Sequence, residues 1–162
     1  MTTAPALTTS NDAQLLEREA ATILANALAL AATLHLPGAR ESHRGMLERA
    51  IELAHGALAL DNAGLDPATI AGARSTLVKA YAARAEDARH GAGQLMQCAQ
   101  RAPTREDCDD GWQRVEEVVA VAEASACHAA RVADEFGDRA AWVAARKAAA
   151  AAREARQVVD ER

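Results

Sequence analysis

The chain has 162 residues, enough for one domain with a sizeable core, and half of them are hydrophobic although only 2% are aromatic. The apolar mass is therefore alanine, leucine and valine. The net charge of −5, with arginines scattered among acids, leaves no basic face of the kind a nucleic-acid binder needs. The excess of arginine over lysine and the abundance of alanine reflect a GC-rich coding sequence rather than phosphate recognition.

The opening MTTAPALTTSND lacks the basic start and apolar run of a secretory signal. Residues 1–10 read as a flexible polar tail and 11–162 as a single helical-bundle domain. The first helix is expected to start near Ser10–Asp12 and to stop before Pro37-Gly38. Within it, Ala20–Leu36 is apolar almost all round, interrupted only by Thr22, Asn26, Thr33 and His35, so it is expected at the centre of the bundle. It falls short of the ~20 apolar residues of a bilayer span, which disfavours a membrane protein. Lipid binding through this stretch is a third functional option.

Leu47, Ile51, Ala54 and Leu58 make the apolar stripe of a second helix over 40–62. Asp66-Pro67 marks a third start, a capping carboxylate followed by proline at the first helical position. That helix runs to about Arg101, with Gly91 and Gly93 as the expected kink or close approach. Pro103-Thr104 ends it and caps a fourth helix, where Glu106, Asp107, Asp109 and Asp110 complement the positive end of the helix dipole. The stripe Trp112, Val115, Val119, Ala122, Ala126, Ala129, Ala133 and Phe136 carries the fourth helix to Gly137. A fifth, from Asp138 to about Val159, has only the weak seam Ala141, Ala144, Ala148, Ala151, Ala155 and Val158. The pattern predicts an all-α fold, an up-and-down antiparallel bundle of four to five long helices.

The third helix is longer than its predecessors by roughly 15 Å at 1.5 Å per residue. Leu95 through Val115 would then project past the first hairpin and carry Leu95, Met96, Trp112 and Val115 with them. Apolar side chains on a projecting tip call for a cover, and the expected cover is a protein partner or a second copy of the chain. On this reading polar replacements at Trp112 and Leu95 abolish association. The bland alternative is that the tail or a tilted first hairpin covers the tip.

Other candidates carry less chemistry. Cys98 and Cys108 flank Pro103 symmetrically, a spacing that permits a disulfide across the hairpin, although a reducing cytoplasm leaves thiols as the default. Cys127 is expected to fill the core. Glu52/His55 and Asp87/His90 echo the acid–histidine spacing of carboxylate-bridged di-metal bundles, but at heights too different for a shared site. A smaller cluster of Asp87, His90, Glu116 and Glu117 survives that test, against surface ion pairing as the plainer reading. Cys127-His128 is half of a c-type haem attachment motif, without its first cysteine. His35 and His43 are too few ligands for a structural zinc site. Ser10, Ser42, Ser75 and Ser125 have no catalytic motif around them.

The expected function is therefore non-enzymatic. The chain reads as an adaptor, a scaffold, or a small regulatory or immunity-type partner that associates in the cytoplasm with a protein or with itself, and no cofactor is called for. The competing class is a metal- or cofactor-binding bundle, or an enzyme built on one, using the acid–histidine cluster.

Overall fold

The computed structural model describes residues 5–34, 38–60 and 66–160, with side chains from residue 11 onward. The fold is an all-α helical bundle. Among the described residues there are five α-helices and no strand: α1 Pro5–Leu30, α2 Ala39–Ala59, α3 Pro67–Gln100, α4 Arg105–Phe136 and α5 Arg139–Asp160. A short 3-10 turn, Ala31–Thr33, continues α1. No described helix is long and apolar enough to cross a membrane.

The punctuation of the sequence is also the punctuation of the helices. The carbonyl of Asp66 accepts the N–H groups of Thr69 and Ile70 at the start of α3. Thr104 caps α4: its Oγ1 accepts the Asp107 N–H at 3.1 Å and donates to the Asp107 carboxylate at 2.6 Å. The side chain thus satisfies one of the N–H groups a helix start leaves open and draws an acid to its positive end. Gly137 ends α4 at φ 66°, a left-handed conformation that glycine adopts without penalty, and its N–H bonds the Ala133 carbonyl. Asp138 then caps α5 through Oδ2, which accepts from Ala140 and Ala141.

The start of α1 at Pro5 differs from the expectation near Ser10–Asp12, because the stretch before the cap still takes helical backbone.

The chain divides into two compact units, Met1–Ala80 and Tyr81–Arg162, and α3 runs through the boundary. In the first unit α1 packs against α2, with Leu16 against Gly56, and Glu17 lies over Gly72 of α3. The core there is Ala13, Ala20, Leu24 and Ala27 of α1 with Leu47, Ala50, Ile51, Leu53 and Ala54 of α2. His43 is buried beside them, while His35 lies outside the described residues. The expectation that the apolar stretch of α1 would be buried on every side is corrected. Leu28 is 47% exposed, and Ala25, Asn26 and Ala29 are exposed as well. Among the described residues only one stripe of α1 is buried, and Leu15 and Leu28 on its other sides are exposed.

In the second unit, residues from Tyr81 onward in α3 pack with α4, and α4 packs antiparallel to α5. Tyr81 stacks on His128, ring centroids 5.1 Å apart. The seam between α4 and α5 is built from Ala122, Ala126, Ala129 and Ala133 facing Ala141, Ala145, Ala148, Ala152 and Ala155. Small side chains let the two helices approach closely. The tightest approach is between α3 and α4: a Cβ added at Gly111 would lie 2.7 Å from the Ala99 Cβ and 3.1 Å from its Cα. The expected special glycines behave differently. Gly91 has only an ordinary 3.6 Å neighbour in Val118, Gly93 has none within 4 Å, and α3 runs unbroken through both.

This contrast makes a paired prediction. Gly93→Ala should raise stability by about 0.5–1 kcal/mol, the helix-propensity difference with nothing in the way. Gly111→Ala should lower it, because overpacking against the Ala99 backbone costs about 1–3 kcal/mol and outweighs a propensity gain of about 1 kcal/mol. Urea denaturation of the two variants beside the parent measures both signs.

Candidate functional site

The hairpin between α3 and α4 forms an open groove of about 510 Å³. Leu95, Ala99 and Gly111 are among the residues that line it, with Cys98, Pro103 and the charged Arg101, Asp107, Asp110 and Arg114. Gly111 lets α4 approach Ala99 closely at the floor of this groove. Of the four residues expected to bind a partner here, Leu95 and Met96 are half-buried, whereas Trp112 is only 6% exposed and Val115 is fully buried. The expectation that Trp112 and Val115 offer surface is corrected. They lie on the core stripe of α4, so a polar residue at Trp112 tests folding rather than association.

Cys98 and Cys108 are both free thiols. Symmetry about Pro103 does not make them level, because Ala99 faces Gly111 across the hairpin. That register displaces Cys108 by roughly one helical turn, about 6 Å, from the level of Cys98. Cys127 is exposed, contrary to its expected place in the core. The core stripe of α4 passes through Ala126 and Ala129 and leaves Cys127 on the outer side.

The acid–histidine cluster is not assembled. Asp87 is buried in α3, while His90, Glu116 and Glu117 are exposed. His90 Nε2 instead lies 3.1 Å from the Glu86 carboxylate and 3.0 Å from the Arg89 guanidinium. Among the described residues no group of three or more His, Cys, Asp or Glu is placed to hold a metal ion. His128, half of the haem-like motif, is occupied in its stack on Tyr81. Ser125 is buried and donates to the Val121 carbonyl one turn back, a local bond within α4.

What the sequence reading missed is the outer face of α5. Trp142 is 43% exposed and Val143 51% exposed, beside the exposed Arg139, Arg146 and Lys147. The signal was present in the pattern: the seam of α5 is alanine throughout, so its one tryptophan falls off that seam. On α1, Leu15 and Leu28 are each exposed, on different faces of the helix.

Two ion-pair groups fasten the second unit along α5. Arg156 meets Glu123 of α4 through two bonds of 2.8 and 2.6 Å, and Arg89 of α3 bridges Glu86 on its own helix and Glu154 of α5. Hydrogen bonding from Arg156 holds the Glu123 carboxyl below the ordinary range, and Arg89 does the same to Glu86.

Compared with known proteins, the chain matches no family model, no curated protein and no solved structure.

The depressed carboxyl groups fix the sign of one pH effect. A carboxylate whose folded pKa lies below its unfolded value stabilises above the unfolded value and loses that contribution as the pH falls through the folded one. Thermal stability should therefore decline on acidification below about pH 4.3, the ordinary glutamate value. Glu123→Gln should make that decline shallower, and melting curves at a series of pH values for the parent and E123Q decide it.

Proposed function

We propose that the chain is a non-enzymatic interaction protein, an adaptor, scaffold, or small regulatory or immunity-type partner, that works in the cytoplasm through protein–protein association. One observation carries this reading. The buried seams are mostly alanine, while several of the largest apolar side chains, Leu15, Leu28, Trp142 and Val143, stand on outer helix faces. Single exposed apolar residues are ordinary, but a tryptophan and a valine side by side among basic residues match the composition of interface centres, where tryptophan and arginine are enriched. The groove at the α3–α4 hairpin adds a concave surface to these convex ones.

Site-specific photo-crosslinking in living cells tests the reading. A benzophenone amino acid at Val143, or at Leu28, should yield an adduct of one defined mass above the 17.0 kDa chain. The same probe at the exposed Glu135 of α4 serves as the reference position and should yield none. Absence of a discrete adduct at both Val143 and Leu28 would overturn the proposal.

A further inference from the structure

We infer that the outer face of α5 docks an acidic amphipathic helix of the partner, with carboxylates seven residues apart on either side of an apolar position. This deepens the association reading and rests on it. Charge is the first support. From Arg139 to Arg153 the helix carries four basic residues, Arg139, Arg146, Lys147 and Arg153, and no acid. All four are exposed, and among the described residues none of them takes part in an ion pair. The next residue, Glu154, is the first acid, and Arg89 of α3 already holds it.

Spacing is the second. Arg139, Arg146 and Arg153 recur every seven residues. Seven residues fall within about 20° of two full turns, so the three arginines share one line, at intervals of about 10.5 Å. That line runs along the side of α5 opposite its buried alanines. A second helix laid along α5 repeats at the same interval, so acids seven residues apart on it meet each arginine in turn. This is the charge pairing that flanks helix–helix seams and selects the partner. A guanidinium fork suits it, because it holds a carboxylate through two parallel hydrogen bonds.

The apolar anchor is the third. Trp142 and Val143 are both exposed and lie between Arg139 and Arg146, one on each side of the arginine line. An apolar side chain between two acids of the partner helix falls on that pair, and the flanking ion pairs fix its register. A bilayer or a nucleic-acid duplex is a far larger polyanion than this face, and it also meets the acids of a chain whose net charge is −5. A single acidic helix touches only the basic face. Charges beyond about 8 Å of it are screened at physiological salt, so the local sign decides and favours the helix.

The experiment is crosslinking in cells from the benzophenone probe at Val143 of the full chain, with mass-spectrometric mapping of the site it captures. The captured segment should carry acids seven residues apart within a helical turn or two of that site. Replacing all three arginines, Arg139→Glu with Arg146→Glu and Arg153→Glu, should cut the adduct yield at least tenfold. The matching lysine replacements should keep it, since they keep the charge. Far-UV circular dichroism confirms that each variant is folded. Should the triple glutamate variant lose helicity, R146E alone takes its place, with a loss of at least threefold expected.

The inference is overturned, and the association reading left standing, by a Val143 adduct whose yield survives charge reversal or whose captured segment lacks the acids. An adduct from Leu28 but none from Val143 does the same, as does a Val143 adduct to a second copy of this chain. Flotation of the purified chain with phosphatidylserine vesicles, lost on charge reversal, assigns the face to lipid and overturns the inference as well. No adduct at either position removes both.

Discussion

The packing of α4 against α5 depends on the use of alanine as the contact residue between helices. A buried methyl group contributes about 0.8 kcal/mol, against about 1.5–3 kcal/mol for a leucine or a tryptophan. Alanine compensates in two ways: it is the best helix former, and it lets backbones approach until dispersion between main-chain atoms contributes. The α4–α5 seam is alanine on both sides, and the α3–α4 approach is tight enough that Gly111 admits no Cβ opposite Ala99. Seams this narrow exclude large side chains. Trp142 therefore stands outside because the seam has no room for it, and the exposed surface is a consequence of how the core is built.

The same constraint explains what was legible in the sequence. Helix ends were readable because they rest on local chemistry: Asp66-Pro67, Thr104 with Asp107, and Gly137-Asp138 each mark an observed boundary within a residue or two. The stripe of α4 was readable because a period of three and four residues survives in any packing arrangement. Burial around α1 was not, since hydropathy records what a helix could bury and not how many neighbours it has. Cys127 failed for a related reason: it is apolar enough for a core, but the stripe beside it was already complete with Ala126 and Ala129.

The site divides in the same way. Helix lengths point to Leu95 and the hairpin, but a length argument cannot see which way a stripe faces, and Trp112 lies on the buried stripe of α4. Gly91 and Gly93 looked special by composition, whereas Gly111, one residue before Trp112, is the glycine that a close contact requires. Only pairwise register reveals that, and register between helices leaves no trace in a single sequence. The alanine period of α5 marks its buried seam and leaves the exposure of Trp142 and Val143 unmarked.

The distribution of charge completes the argument. Acids at the start of α4 are explained locally by the helix dipole and by the Thr104 cap. Of the basic residues near the start of α5, only Arg139 lies in the first turn, where the dipole favours acids; Arg146 and Lys147 lie beyond its reach. Arg156, by contrast, is bound to Glu123, and Glu154 is bound to Arg89, so the later part of the helix spends its charge on holding the unit together. Among the described residues, ion pairs thus engage the far half of α5 through Arg156 and Glu154 and do not include Arg139, Arg146 or Lys147.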